Sequence, residues 1–241
     1  MRAALFLWRC DTLDGRRPTR GDPLRIPIHR EGWPFIAIFA VINAGLYFLS
    51  PWATAAFVPV TIWCIAFFRD PERTPPPGEN LLVSPADGVL LPIVQAAPPE
   101  ELGLGSEARP RLSIFMNVFN VHVNRMPVSG EVISLAYRPG RFFNASFDKA
   151  SVHNERMSAR IRPSGSGDPA ADLVVVQIAG LVARRIVCDI KAGDRIGRAE
   201  RYGMIRFGSR LDVYLPLSAN IVIKEGSVTR AGQTVLAQLQ G

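Results

Sequence analysis

The sequence predicts a mainly β protein: a sandwich- or barrel-like domain of short strands, preceded by a membrane-associated helical hairpin. Three observations carry that prediction. Residues 33–68 contain no charged side chain. Residues 69–80 are a Pro-rich linker built around Pro75-Pro76-Pro77-Gly78, and consecutive prolines favour extended chain and end any helix. Residues 81–241 then break into short apolar or alternating runs between turn residues, the pattern of many closely spaced strands.

Length and composition bound the possibilities. A chain of 241 residues makes one large domain or two small ones and can bury a real core. Apolar residues make up 48% of it, and the mean hydropathy of +0.13 is high for a wholly water-exposed protein. The excess lies in one segment. The net charge is +7, carried almost entirely by arginine, since Lys149, Lys191 and Lys224 are the only lysines. A basic chain suits nucleic acid, anionic lipid or acidic substrates. No basic run is interleaved with aromatics, which argues against nucleic acid. Cys10, Cys64 and Cys188 are odd in number and lack metal-type spacing, so neither a disulfide framework nor a metal site is expected.

The elements follow in order. Residues 1–32 form a basic N-terminal segment with seven arginines. Its apolar patch Ala3–Trp8 is too short for the core of a signal peptide. It reads either as a flexible tail or as one held against anionic headgroups. A single membrane span needs about 20 apolar residues. The 36 charge-free positions of 33–68, with Ser50-Pro51 near their middle, therefore read as two short passes or as a re-entrant hairpin. A buried pair of core helices is the alternative. Trp33, Trp52 and Trp63 suit interface anchoring, and Arg30, Arg69 and Arg73 at the flanks place both ends on the cytoplasmic face.

In the β region, strands are expected within Leu81–Val94, Arg111–Val123, Gly130–Tyr137, Asp172–Ala179, Ala183–Ile190, Met204–Phe207, Leu211–Tyr214, Asn220–Ile223 and Gln233–Leu239. The stretch Ile221–Leu236 has the strand-turn-strand look of half a biotinyl/lipoyl barrel. Asp148-Lys149-Ala150 resembles the lysine motif of lipoyl domains, but Lys149 is not at the tip of that hairpin.

Three stretches carry candidate chemistry. Gly203–Pro216 reads as two strands meeting at Gly208-Ser209. One reading is a β-bulge with a surface serine. The other is a strained peptide whose Ser209 hydroxyl attacks the Gly208 carbonyl carbon, helped by the uncrowded glycine. Ser84-Pro85-Ala86-Asp87-Gly88 places a carboxylate in a tight turn, which is also ordinary turn chemistry. Phe119-Asn120-Val121-His122-Val123-Asn124-Arg125 places His122 in a strand, with Val121 and Val123 facing the other way.

These stretches, taken in order with Phe67-Phe68-Arg69-Asp70-Pro71-Glu72-Arg73, Asn154-Glu155-Arg156 and Arg206-Phe207-Gly208-Ser209, resemble phosphatidylserine decarboxylase in its shorter bacterial branch. The resemblance implies a self-cleaving proenzyme whose catalytic β domain spans 81–241. Ser209 would make an ester with Gly208, and β-elimination would leave a β chain of 1–208 and an α chain of 209–241, paired as a heterodimer. The new terminus would become a pyruvoyl group that forms a Schiff base with the amine of phosphatidylserine, giving phosphatidylethanolamine, with no metal and no pyridoxal phosphate. Asp87 and His122 match the triad partners of longer family members. Arg125 stands where those members have a second histidine. Arg125 and Arg206 are candidates for the substrate phosphate or carboxylate. Two other readings stay open: a pyruvoyl decarboxylase of a free amino acid, and a membrane-tethered biotinyl/lipoyl-like adaptor.

Overall fold

The computed structural model describes residues 28–140, 153–180, 185–206 and 208–240. Most of the basic N-terminal segment, the Asp148-Lys149-Ala150 stretch and Phe207 lie outside the described residues.

Two helices come first, α1 (Trp33–Leu49) and α2 (Pro51–Phe67), packed on each other as a hairpin. Ser50 separates them because a residue before proline is driven out of the helical region. It adopts φ −164° and ψ 123°. Its amide still closes α1 on the Leu46 carbonyl at 2.8 Å. Pro51 then opens α2 where no amide hydrogen is required. Across the pair, Asn43 donates to Thr61 and Phe39 stacks on Phe57 at 5.5 Å. A helix of 17 residues is about 25 Å long, a little short of the roughly 30 Å hydrocarbon layer. Together with the preceding 3-10 turn, Arg30–Leu49 makes a helical stretch of 20 residues, long and apolar enough to cross a membrane by length and composition. The hairpin tip is apolar and open: Phe48 is 87% exposed and Trp52 86%. An apolar surface of that kind suits lipid rather than water.

Residues 69–80 contain no helix or strand, yet they are docked along their length. Arg201 holds Asp70 at 2.7 Å, Arg125 holds the Pro71 carbonyl at 2.7 Å, and Arg198 holds the carbonyls of Pro76 and Gly78 at 2.9 and 2.8 Å. The Pro-rich segment is a strap, fixed because its carbonyls, outside any helix or strand, accept from arginine donors.

The β region opens with β1 (Leu81–Val83), β2 (Gly88–Leu90), β3 (Val94–Ala96), β4 (Arg109–Met116) and β5 (Val123–Arg125). It continues with β6 (Gly130–Arg138), β7 (Arg156–Pro163), β8 (Leu173–Ala179), β9 (Ile186–Cys188) and β10 (Arg195–Ile196). It ends with β11 (Arg201–Ile205), β12 (Ser209–Tyr214), β13 (Asn220–Ile221), β14 (Val228–Thr229) and β15 (Val235–Gln238). The main sheet runs β10-β6-β7-β8-β12-β4-β2-β14, with β3 added against β4. Two smaller sheets, β5-β11-β9 and β1-β15-β13, pack near it. Every pairing is antiparallel, and among the described residues no sheet closes into a barrel.

The core explains the layering. β8 is buried on both faces, because it lies inside the main sheet with packing above and below. Leu173, Val175 and Ala179 join the larger core with Leu112, Ile114, Leu211 and Val213. Val174, Val176 and Ile178 face a second cluster with Leu102 and Tyr214.

Three strand expectations change. Arg111–Val123 is not one strand: an Asn-rich turn at 117–120 ends β4. There the Asn120 side chain accepts the Asn117 amide at 2.8 Å and the Asn117 side chain accepts the Phe119 amide at 2.8 Å. His122 consequently lies just before β5 rather than in a strand, and Val121 and Val123 are buried with it. β7 was not foreseen, although Met157, Ala159 and Ile161 alternate with polar residues. Finally, β13 and β14 do not pair as a hairpin; β14 joins β2, while β15 joins β1 and β13. The lipoyl-like appearance of the C-terminus is therefore local only.

Candidate active site

The Gly208-Ser209 peptide lies where the chain passes from one sheet to another. β11 before it pairs with β5 and β9, and β12 after it lies between β4 and β8. The two strands belong to different layers, so the junction must turn sharply. Gly208 takes φ +71°, a region that strains any residue with a Cβ. Among the described residues, and apart from its chain neighbours, no atom lies within 4 Å of where a Cβ would sit, so the dihedral rather than crowding calls for glycine. Ser209 is fully buried, which removes the surface-serine reading. It pairs with Met116 on one side and Ala179 on the other. Its Oγ lies 4.0 Å from the Met116 sulfur.

His122 is oriented by its own turn. Its Nδ1 lies 3.0 Å from the Asn120 carbonyl. A carbonyl only accepts, so the neutral ring carries its proton on Nδ1 and presents Nε2 as a bare lone pair. Nε2 is buried and has no hydrogen-bond partner among the described residues. Burial pushes the imidazole down to about 4; the Asn120 bond and the Asp87 charge oppose this weakly, and the Arg69 charge adds to it.

Asp87 is held elsewhere. Its carboxylate takes two N–H bonds from Arg73, one of them 2.7 Å from Nη2 to Oδ2, and a third at 2.8 Å from the Ala231 amide. The Arg73 guanidinium also donates to the Ala231 carbonyl at 3.0 Å. Asp87 thus acts on His122 through its field and not through a hydrogen bond.

The two arginine candidates differ. Arg125 is buried, with its terminal nitrogens donating to the Ala199 and Pro71 carbonyls at 2.9 and 2.7 Å. Burial first, then the Arg201 charge, lowers its pKa to about 10, and Asp70 at 3.6 Å opposes this. Arg206 lies beside the hairpin. It pairs with Glu31 at 3.0 Å and covers the Phe35 ring at 5.3 Å, and its buried Nε has no partner among the described residues.

The base of the hairpin roofs this region. Cys64, Phe67 and Phe68 are buried against Val121, Val123, Val187 and Met204. Burying each phenylalanine contributes about 1.5–3 kcal/mol. The Trp63 indole donates to the Val118 carbonyl at 3.3 Å, and Arg69 donates to the Phe119 carbonyl at 2.7 Å. An N-terminal apolar hairpin docked at the candidate site is consistent with membrane association.

Sequence reasoning missed Arg73, Phe67 and Asn120 as partners of the site. Each stands inside a stretch already singled out, but none has a local signal naming its partner.

Comparison with known proteins gives the chain's relatives. A family model described as phosphatidylserine decarboxylase matches residues 60–237. Three relatives, each named phosphatidylserine decarboxylase proenzyme, are similar over most of their length. That of Cereibacter sphaeroides is 53% identical over 88% of this chain and 90% of its own. That of Ruegeria pomeroyi is 51% identical over 91% of this chain and 98% of its own. That of Rickettsia akari is 50% identical over 87% and 89%. With a family match over residues 60–237 and relatives this similar over most of the chain, the chain belongs to the phosphatidylserine decarboxylase family.

Proposed function

We infer that this chain removes the carboxylate of phosphatidylserine, giving phosphatidylethanolamine and carbon dioxide, with a pyruvoyl group made from its own Ser209. The relatives' name, proenzyme, supports a processed precursor. The observation that carries the reading is the Gly208-Ser209 peptide: a left-handed glycine joined to a fully buried serine at the crossing between two sheets.

The residues fit the production of such a group. His122 Nε2 is a bare, neutral lone pair, and in this reading it is the base that takes the Ser209 hydroxyl proton. Ser209 Oγ attacks the Gly208 carbonyl carbon, the peptide C–N bond breaks, and the nitrogen takes a proton. The resulting ester loses the residue 209 Cα proton and breaks at Cβ–Oγ, separating 1–208 from 209–241. Water then displaces ammonia from the new terminus. Asp87, held by Arg73 and the Ala231 amide, biases the field at His122. A pyruvoyl carbonyl supplies the electron sink that no ordinary side chain offers.

After cutting, the fragments stay joined as a heterodimer. β12 keeps β4 and β8 on its two sides, β14 keeps β2, and β15 keeps β1. Arg206 is the stronger candidate for the lipid phosphate, because it sits at the hairpin base. The contacts of Arg125 suit it to clamping the strap. The hairpin of 33–68 rests in the cytoplasmic face of the membrane, with linker 69–80 and the catalytic region 81–241 beneath it. A free amino acid would need no such anchor.

Intact-mass measurement of the purified chain tests this reading. The expected result is two fragments split between Gly208 and Ser209, the second resistant to Edman degradation. Ser209→Ala is expected to stay whole and inactive. A fully active preparation of uncut chain would sink the idea.

A further inference from the structure

One buried polar pair beside Ser209 has no part in that scheme. Asn124 on β5 is completely buried, and Gln177 on β8 is 1% exposed. Gln177 Nε2 donates to Asn124 Oδ1 at 2.8 Å and to the Val187 carbonyl at 3.3 Å. The Val187 carbonyl decides which way both amides face. It can only accept, so Gln177 turns its NH2 group toward it. That NH2 then takes Asn124 Oδ1, and the NH2 of Asn124 is left pointing away. Gly203 permits the close approach, because a Cβ there would lie 2.2 Å from the Val187 oxygen and 3.0 Å from Gln177 Nε2.

Asn124 Nδ2 has one acceptor among the described residues, the Met116 sulfur at 3.8 Å. Ser209 Oγ approaches the same sulfur at 4.0 Å. Both groups thus converge on a thioether, which is a weak acceptor. Burying an amide donor without an oxygen partner is unfavourable, and such sites call for a functional reason.

We propose that Asn124 is a further catalytic residue of self-cleavage, donating from Nδ2 to Ser209 Oγ as that oxygen departs. The proposal rests on the self-cleavage reading above. In the ester, Oγ joins the residue 209 Cβ to the Gly208 carbonyl carbon. A base takes the Cα proton, its electron pair forms the Cα–Cβ double bond, and the Cβ–Oγ bond breaks with its pair going to Oγ. Gly208 leaves as a carboxylate that includes Oγ, and the second fragment begins as dehydroalanine, which water converts to the ketone with release of ammonia. Negative charge grows on Oγ at this step, where a fixed, neutral amide donor stabilises it without stabilising the uncharged ester equally. Met116 fills the space softly and can be displaced by the moving oxygen. Gln177 is the positioning residue that aims Asn124.

The test uses the full chain synthesised in a cell-free system with detergent, as wild type, Asn124→Leu and Asn124→Ala. Asn124→Leu keeps the side-chain volume and removes the donor, so it reports even where alanine disturbs folding. Loss of one such donor slows a step by about 10²–10³-fold. The expected result is slow appearance of the second fragment together with an accumulated full-length ester. Hydroxylamine splits that ester at Gly208-Ser209 and leaves a free serine amine. A merely structural defect slows ester formation too and leaves no hydroxylamine-sensitive chain. Gln177→Leu is expected to show the same accumulation in weaker form. Variants that cut at the wild-type rate, or that cut slowly without ester, would overturn the role of Asn124 while leaving self-cleavage intact. A wild-type chain that never cuts would overturn both readings.

Discussion

The imidazole of His122 lies on the ring of Phe67, with centroids 4.3 Å apart and planes tilted by 32°. Phe67 is the last residue of α2. The apolar hairpin that suits the lipid phase therefore also forms a wall of the proposed base's pocket. Anchoring and chemistry share one contact.

That contact sets a pH prediction. A base must be unprotonated to work, and burial lowers His122 from 6.5 to about 4. His122 then stays neutral across the range of about pH 5 to 8 in which an ordinary histidine titrates. The rate of self-cleavage is expected to be flat there and to fall with acid through a midpoint near 4. Phe67→Ala admits water, moves the midpoint back toward the ordinary value and costs about 3–5 kcal/mol of stability. The fraction cut against time, followed on gels at a series of pH values, checks both. A wild-type midpoint near the ordinary histidine value would count against His122 as the base.

Arg73 and Asp87 are expected to behave as one unit. Their side chains are 9% and 12% exposed and joined by two hydrogen bonds. Removing one partner of a buried pair strands the other, at a cost of about 3–5 kcal/mol. Arg73→Ala and Asp87→Asn should each destabilise the chain and slow cutting, and the double variant should lose far less than the sum. Strict additivity in denaturant melts and cleavage rates would show that the pair is not coupled.

Arg206 separates lipid handling from self-cleavage. It comes two residues before Gly208, but its charge faces Glu31 and Phe35 rather than Ser209. Arg206→Gln is expected to leave cutting unchanged and to raise KM for phosphatidylserine about tenfold or more, the loss of one charge-assisted hydrogen bond. A normal KM in detergent micelles would assign Arg206 to packing alone.

The hairpin predicts salt-resistant attachment. At about 1 M salt the screening length is only about 3 Å, so surface charge no longer holds a protein on lipid, whereas inserted apolar side chains do. Sedimented membranes should retain the intact chain after such a wash and release it with detergent. Release by salt alone would make the arginine-rich N-terminal segment the anchor.

The sequence by itself determined whatever depends on neighbours along the chain. Thirty-six uncharged residues with Ser50-Pro51 near the middle specify two helices and the break between them, because proline restricts the residue before it. Gly208-Ser209 was legible because a glycine interrupts two apolar strand patterns there, and the ordered motifs around it turned a possible bulge into a candidate cleavage site. Tertiary structure decided whatever depends on register and on which face is covered. Alternation says that β12 has two faces; only its place between β4 and β8 buries Ser209. Local pattern put His122 in a strand, but side-chain bonds of Asn117 and Asn120 ended that strand early. Asp87 suggested a partner in His122, yet folding gave it Arg73 from the strap and Ala231 from the C-terminal region. Asn124 and Gln177 meet across 53 positions of sequence. No local pattern encodes such a meeting, since it exists only once two sheets have packed and their buried amides must satisfy one another.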